Sequence, residues 1–400
     1  MTAAALVLAI VGALLAVAIH LTMPSFILMA IRVGVSELSA YVIILAAVSL
    51  AIALFAPRDG LRIATIALAV VAIVLAAVPL AQAPMAIRVA EGALDAIGAP
   101  AGAEPPFSVG RLFTRLPTPQ VKRTNDVPFR TIGSTTLRLD RYDGAGSGPH
   151  PALVVIHGGS WRNGDKGEGS TDPTITNRIF AGQGITVYDI EYRLVPAATF
   201  PAQLDDVLCA LGHIRAHATL DNVDPERVAL LGRSAGAHLA LVAAYRAGRD
   251  PLPDGCGRPA TVRGVISLYG PTDLAHDYRV PSDPDLINGS AAIADFIGGT
   301  PDSAPAAYAL ATPQRSLDRP VPPTLLIHGL ADQIVKPFNS ESLAAALSQS
   351  GNAVALVELP WAGHGFDAVS WGVGGQIALA AMERFLALTL RSVRSADGGR

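Results

Sequence analysis

The segment from Val228 to Ala240 constrains the fold of this chain more than any other. It contains a short apolar run, then Gly232-Arg233-Ser234-Ala235-Gly236, then small and apolar helix formers. This order predicts a buried strand, a sharp turn and a helix, with glycines where strand and helix pack too closely for side chains. A bare Gly-x-Ser-x-Gly pattern is common by chance, so the strand-turn-helix context carries the prediction that Ser234 is a nucleophile.

The sequence around this segment alternates strand-like apolar runs with longer helical stretches. This alternation predicts an α/β fold with a mainly parallel, doubly wound sheet. The predicted strands cover 135–142, 152–156, 186–190, 228–231, 262–268, 324–327 and 353–358. The predicted helices cover 203–218, 235–248, 339–349 and 376–390, where apolar residues recur at helical spacing. We expect a catalytic domain over residues 131–393, in which the Pro-, Ala- and Asp-rich residues 271–322 form a mobile, lid-like insertion over the pocket.

A second glycine-rich turn follows the predicted strand at 152–156 and reads His157-Gly158-Gly159-Ser160-Trp161. Acyl transfer places negative charge on the former carbonyl oxygen, and pre-oriented backbone N–H groups stabilise that charge. Gly158, Gly159 and Ala235 are therefore predicted to form an oxyanion hole. We expect the ring of His157 to fix this loop by hydrogen bonding rather than to transfer a proton.

A serine hydroxyl needs a neighbouring base to take its proton, and the base needs an acid to hold its tautomer. Asp332 ends the loop after the predicted strand at 324–327, and His364 lies in a glycine-flanked loop after the last predicted strand. The chain order Ser, Asp, His is one that catalytic sites on doubly wound α/β sheets use. Ser234, Asp332 and His364 are therefore the predicted catalytic residues.

Other acids and bases compete for these roles. Asp205 and Asp206 are expected to begin a helix, where carboxylates suit the positive end of the helix dipole. Asp273 follows a strand and can reach the site, although a neighbouring proline favours a turn. His238 is expected one turn into the helix after Ser234, and His328 is expected to pack near a strand end.

The first 87 residues are far more apolar than the rest, in a chain that is 50% hydrophobic and 16% charged. Three apolar stretches, 3–21, 38–56 and 63–82, each approach the ~20 residues that a membrane-spanning helix needs. We therefore expect a transmembrane region at 1–84 with about three helices, followed by a Gly- and Pro-containing linker at 85–130. The alternative for the first stretch is a secretory signal, but it lacks a basic start.

The membrane orientation and the cysteine chemistry are predicted together. Arg58 and Arg62 favour a cytoplasmic connection between the second and third spans, whereas Arg88 weakens this bias. The expected protein is a multi-pass protein of the cell membrane with an extracytoplasmic catalytic domain. That compartment permits a disulfide between Cys209 and Cys256, whereas a cytoplasmic location favours free thiols.

The charge pattern narrows the classes of partner and cofactor. The formal net charge is −3 and no Lys/Arg-rich run occurs, so no nucleic-acid partner is expected. No metal site is predicted, because the two cysteines lack histidines at ligand spacing. No organic cofactor is expected either. Membrane lipid is the expected contact of the apolar segments.

Several motifs together resemble the hormone-sensitive-lipase-like carboxylesterases, which have the α/β-hydrolase fold. They are His157 to Trp161, Glu191-Tyr192-Arg193-Leu194, Gly232 to Gly236, Tyr269-Gly270-Pro271-Thr272-Asp273 and His364. Trp161 and Gly164-Asp165-Lys166 are more similar to the feruloyl-esterase-like and kynurenine-formamidase-like branch. The resemblance runs from about Thr135 to Leu390.

The resemblance implies a carboxylic-ester hydrolase that acts through an acyl-enzyme on a small-molecule or lipid-like ester. It also implies that Ser160 and Trp161 lie near the substrate, although Ser160 stands where many lipases have a third glycine. One alternative is an amide hydrolase, such as an arylformamidase or a peptidase, that uses the same residues. An alternative of another class is a noncatalytic, membrane-tethered binding module.

Overall fold

The centre of the molecule is an eight-stranded sheet. The structure, a computed structural model, describes residues 2–114, 117–167, 173–249 and 252–391. The strands are β1 (Arg123–Ile132), β2 (Thr135–Tyr142), β3 (His150–Ile156), β4 (Thr186–Ile190), β5 (Val223–Arg233), β6 (Val262–Leu268), β7 (Thr324–Gly329) and β8 (Val354–Leu359). Their spatial order is β1-β2-β4-β3-β5-β6-β7-β8, and only the β1–β2 and β2–β4 pairs are antiparallel. The mainly parallel sheet predicted from the sequence is confirmed.

Helices cover both faces of this sheet. The helices of the described residues are α1 (Thr2–Ala18), α2 (Phe26–Glu37), α3 (Ser39–Leu54), α4 (Gly60–Ala76), α5 (Val78–Ala96), α6 (Arg111–Thr114), α7 (Pro173–Gly182), α8 (Ala202–His217), α9 (Ala235–Arg246), α10 (Leu274–Arg279), α11 (Gly289–Ile297), α12 (Pro305–Ala311), α13 (Phe338–Gln349) and α14 (Val373–Thr389). Helices α5 and α14 pack on one face, while α8, α9 and α13 pack on the other. Because both faces are covered, each central strand contains a continuous run of buried apolar residues, such as Leu153 to Ile156 and Val228 to Leu231.

The predicted linker at 85–130 is wrong at both of its ends. Helix α5 continues to Ala96, because an alanine-rich stripe with Ala86, Ala90 and Leu94 packs into the core shared with β8 and α14. Strand β1 begins at Arg123 and pairs with β2 at the edge of the sheet, which is where a strand tolerates a proline such as Pro128. The end of the N-terminal region is therefore part of the body of the sheet domain.

Helices α1, α3 and α4 pack on one another and form a bundle with its own small core. Among the described residues, one continuous helix, Gly60–Ala96, is long and apolar enough to cross a membrane. A second span is present if the bent pair of α2 and α3 counts as one, while the apolar helix Ala3–Ala18 is shorter. The count of three spans stays a prediction.

The segment between β6 and β7 holds α10, α11, α12 and a short 3-10 turn at Pro313–Ser316. It corresponds to the predicted insertion at 271–322, and its residues Pro281, Ile287 and Ile293 border the cavities next to Ser234. Cys209 of α8 forms a disulfide with Cys256.

Candidate active site

Ser234 stands on the turn between β5 and α9. Its backbone has φ 54° and ψ −122°, a strained conformation expected of a nucleophile on a strand-to-helix turn. A Cβ at Gly232 would lie 2.2 Å from the carbonyl oxygen of Gly236, and a Cβ at Gly236 would lie 2.2 Å from that of His157. Both glycines are therefore required by the close approach of the strands to the helix.

Three of the predicted site residues form one hydrogen-bonded chain. Oγ of Ser234 lies 2.9 Å from Nε2 of His364, and Nδ1 of His364 lies 2.7 Å from Oδ2 of Asp332. Asp332 follows β7 and His364 follows β8, so both side chains come from loops at the carboxyl edge of the sheet. With the Nδ1 proton donated to the carboxylate, Nε2 is free to accept the proton of the serine hydroxyl.

The carboxylate of Asp332 is fixed in orientation and in charge. Its Oδ1 accepts hydrogen bonds from the backbone N–H groups of Ile334 at 2.8 Å and Val335 at 3.0 Å. Burial alone would raise the pKa of Asp332, but His364 and His328 outweigh burial and hold the pKa below its usual value. Asp332 is therefore an anion at neutral pH.

Two cavities adjoin the hydroxyl of Ser234. The larger has a volume of about 600 Å³ and is bordered by Gly158, Gly159 and Ser160 of the glycine-rich turn. The smaller has a volume of about 50 Å³ and is bordered by Ser160, Trp161 and Ala235. All the residues predicted for the oxyanion hole and for substrate contact thus lie around Ser234.

The glycine-rich turn is stabilised from behind by aromatic residues. Nδ1–H of His157 donates to the carbonyl oxygen of Gly158 at 2.8 Å, and the ring stacks on Tyr192 with centroids 4.2 Å apart. Burial lowers the pKa of His157 to about 4, so the ring is neutral at physiological pH. These contacts agree with the expected structural role of His157.

The side chain of Trp161 is buried and helps to form the wall of the small cavity. Its ring is buried and stacks on Phe296 of the insertion, with centroids 4.2 Å apart. Ser160 and Trp161 have positive φ angles of 54° and 57°. Trp161 therefore links the glycine-rich turn to the insertion, and it also borders the small cavity.

The sequence analysis did not predict a cluster of Arg233, Tyr269 and Asp367 next to His364. Nε of Arg233 donates to Oδ2 of Asp367 at 2.6 Å, and the hydroxyl of Tyr269 donates to the other carboxylate oxygen. The ring of Tyr269 lies 4.5 Å from the ring of His364, centroid to centroid. Burial, and then Asp367, raises the pKa of Tyr269, so the phenol stays a neutral donor. The available signals were the position of Arg233 inside Gly-x-Ser-x-Gly and that of Asp367 just after His364.

The competing acids and bases have partners other than Ser234, although Nε2 of His328 lies 3.5 Å from Oδ2 of Asp332. Asp206 pairs with two arginines, Asp205 lies in the first turn of α8, and Asp273 caps the N-terminus of α10. The buried His238 bonds to the backbone carbonyl of Ala311 at the end of α12, and His328 bonds to a serine hydroxyl and a backbone carbonyl. None of these bonds involves Ser234.

The chain was compared with known proteins. Esterase LipC of Mycobacterium tuberculosis is 31% identical over 243 residues, which cover 58% of this chain and 57% of LipC. Kynurenine formamidase of Meyerozyma guilliermondii is 36% identical over 112 residues, which cover 26% of this chain and 37% of that protein. A solved bacterial heroin esterase shares 25% identity with a TM-score of 0.56, over 71% of this chain and 89% of that one.

The chain spans only about half the length of the curated relatives it matches most strongly. The solved esterases support the α/β-hydrolase fold. The family model BD-FAE matches residues 139–347, just over half of the chain. The chain therefore belongs to the BD-FAE family, which confirms the resemblance to α/β-hydrolase esterases carried by its motifs.

Proposed function

We propose that this protein is a membrane-anchored serine carboxylesterase that cleaves carboxylic esters through an acyl-enzyme. The observation that carries the proposal is the chain of hydrogen bonds from Ser234 to His364 at 2.9 Å and on to Asp332 at 2.7 Å. Ser234, at one end of these hydrogen bonds, borders a cavity of about 600 Å³ that has room for a substrate. The similarity to named esterases supports the same reaction.

The reaction follows from the roles that these atoms can take. Oγ of Ser234 attacks the ester carbonyl carbon while Nε2 of His364 takes the hydroxyl proton. Asp332 stays ionised and stabilises the imidazolium that forms. The backbone N–H groups of Gly158, Gly159 and Ala235 are the proposed partners of the oxyanion.

Collapse of the tetrahedral intermediate then releases the alcohol, which receives its proton from His364. Water enters, gives a proton to the same histidine and attacks the acyl-enzyme. The acid leaves and the serine hydroxyl is restored. This route uses groups of the chain and water alone.

We also propose that the N-terminal helices anchor the enzyme in a membrane. In the bundle of α1, α3 and α4 the small residues face inward, as Ala16, Ala46 and Ala72 do, while large residues such as Leu14 and Ile63 face outward. Membrane helices pack through small residues and present large aliphatic side chains to lipid. This pattern supports a multi-pass arrangement, and the Cys209–Cys256 disulfide supports an extracytoplasmic catalytic domain.

The topology is tested with reporters fused to the C-terminus. Alkaline phosphatase, which folds only in an oxidising compartment, should be active in this fusion, and a cytoplasm-dependent fluorescent protein should be dark. The reverse pair of results would show that the catalytic domain faces the cytoplasm.

Amide cleavage is the second candidate function, because a kynurenine formamidase is among the relatives. The two reactions are separated by measuring kcat/KM for p-nitrophenyl butyrate and for an aryl formamide with the full chain. The proposal predicts a clear preference for the ester. A preference for the formamide would show that the protein is an amide hydrolase, and inactivity on both substrates would favour a noncatalytic binding module.

Ser234→Ala tests the nucleophile in the same assay. The variant should lose about 10⁶-fold in kcat, as serine hydrolases do without their nucleophile. Ser348→Ala is the matched control, because Ser348 is exposed near the end of α13. Full activity of Ser234→Ala would remove Ser234 from the mechanism.

A further inference from the structure

Helix α2 has the opposite polarity from a helix on a protein surface in water. Its ionisable residues Arg32 and Glu37 are buried, with 6% and 0% of their surface exposed. Its apolar residues Phe26, Ile27 and Ile31 point outward, and Ile27 is 72% exposed. A helix in water buries its apolar face and exposes its charges. The outer face of α2 therefore suits an apolar surrounding.

The inner face of α2 is attached to the two loops that carry Asp332 and His364. Nη1 of Arg32 donates to the carbonyl oxygen of Ala331 at 2.8 Å, directly before Asp332. On the second loop, a Cβ at Gly363 would lie 2.8 Å from a methyl group of Val33. The helix is thus packed against the backbone on both sides of the candidate active site.

Glu37 attaches the other end of α2 to the sheet domain. Its carboxylate accepts hydrogen bonds from Nε1 of Trp361 at 3.2 Å and from the backbone N–H groups of Gly374 at 2.6 Å and Gly375 at 3.1 Å. A buried carboxylate with three donors resists displacement, since removing it would leave those donors unpaired. Helix α2 is therefore hydrogen-bonded to the sheet domain through both Arg32 and Glu37.

Phe26 joins the outer face of α2 to the active-site cavity. It begins the helix, is half exposed and borders the same cavity as Ser234 and His364. Ile287 of the insertion and Ile334 border this cavity as well. The cavity therefore has an apolar rim that is continuous with the outer face of α2.

The angle between α2 and α3 determines the orientation of α2 and of the cavity opening relative to a membrane. The axis of α2 is bent by 77° from that of α3. If α3 crosses the bilayer, α2 lies almost in the plane of the membrane surface. Helices in that position sink their apolar face about 5–10 Å into the boundary between headgroups and acyl chains.

We propose that the outer face of α2 rests in the lipid surface and that the active-site cavity opens onto it. The substrate is then a membrane-resident ester with a long acyl chain or a lipid alcohol, which reaches Ser234 from the bilayer past Phe26. This inference rests on the proposed esterase function and on the membrane anchor, and it assigns the class of substrate.

A spin label tests the lipid contact without using activity. The full-length Ile27→Cys variant is labelled and placed in phosphatidylcholine vesicles, and both native cysteines are already paired with each other. Leu220→Cys is the control, because Leu220 is 81% exposed and lies just before β5, at the opposite edge of the sheet from Ser234. The label at position 27 should collide with oxygen more than with a water-soluble nickel chelate, and the label at position 220 should show the reverse.

Two outcomes of that experiment would overturn the proposal. Ready access of the nickel chelate to position 27 would show that the face is in water. Spin–spin broadening at position 27 that disappears on dilution with unlabelled protein would show that a second copy of the chain covers the face instead of lipid.

The substrate class is tested with two esters and the double variant Ile27→Asp/Ile31→Asp. The ratio of the rate on 4-methylumbelliferyl oleate in phosphatidylcholine vesicles to the rate on soluble p-nitrophenyl butyrate should fall about tenfold, since carboxylates oppose burial among acyl chains. Leu220→Asp should keep the wild-type ratio. An unchanged ratio in the double variant would overturn the proposal.

Labelling of Ser234 by a soluble fluorophosphonate separates the possible failures. A double variant that is labelled is folded, so its ratio is decisive. If the double variant is not labelled, it is not folded, and the lipid contact is then decided by the spin-label experiment on Ile27→Cys. If the wild type itself is not labelled, the proposed esterase function fails, whatever the position of α2.

Discussion

Replacing Asp332 by asparagine should remove the charge that holds His364 in its working tautomer. In the wild type, Nδ1–H of His364 donates to Oδ2, while Oδ1 accepts from the backbone of Ile334 and Val335. Asparagine keeps both backbone bonds only if its NH₂ group faces His364. Nδ1 must then accept, so the proton sits on Nε2 and the ring cannot take the proton of Ser234.

The magnitude follows from this change of tautomer. We expect kcat to fall by about 10⁴, which corresponds to about 5 kcal/mol of transition-state stabilisation. KM should change little, because the lost interaction matters only as positive charge develops on His364. The protein should lose no more than about 1.5–3 kcal/mol of unfolding free energy, the usual value of one hydrogen bond to a charged group.

The assay is steady-state hydrolysis of p-nitrophenyl butyrate together with urea unfolding of the same samples. Asp273→Asn is the control, because Asp273 was the rival acid and its side chain accepts from the N–H of His276 as the cap of α10. Asparagine caps a helix as well as aspartate does, so this variant should stay active. The reasoning is refuted if Asp332→Asn keeps more than about a tenth of kcat, or if Asp273→Asn causes the larger loss.

Three further predictions concern stability. Gly236→Ala should not yield folded enzyme, because its Cβ would lie 2.2 Å from the carbonyl oxygen of His157; circular dichroism and thermal melting check this. Burial lowers the pKa of His238 to about 4, so only the unfolded chain gains a proton as the pH falls from about 6.5 toward 4. His238 should therefore cost up to about 3 kcal/mol of unfolding free energy across that window, and His238→Gln should flatten the decline in urea titrations. Reducing the Cys209–Cys256 disulfide, with its sequence separation of 47, should cost about 4 kcal/mol, measured by unfolding with and without reductant.

The sheet domain was largely predictable because most of its strands are continuous apolar runs between turn residues. The strands at 135–142, 186–190 and 262–268 have the bounds that the sequence predicts. Strand β1 was missed because it is an edge strand, where exposed and half-buried residues alternate and Pro128 interrupts the pattern. Helix α5 was cut short because glycine and proline are frequent in residues 85–130, although α5 packs into the core as far as Leu94.

Some residues of the site could be predicted from local sequence motifs, whereas others reach the site only through contacts between distant parts of the chain. Ser234, Asp332 and His364 each lie in a short glycine-rich motif after a strand, so the sequence marks them individually and the sheet brings their loops together. Arg32 meets the loop of Asp332 across 299 positions of sequence, and no local pattern announces that contact. Phe26 likewise reaches the cavity only because α2 folds back onto the sheet domain.

The central claim is that Ser234 is a nucleophile activated by His364. The most direct measurement is peptide mass spectrometry of the full chain after reaction with a fluorophosphonate. One adduct per chain should appear, on the peptide that contains Ser234, and its formation should parallel the loss of ester hydrolysis. An inactivated enzyme with the adduct on another residue, or an active enzyme with Ser234 fully modified, would contradict the account.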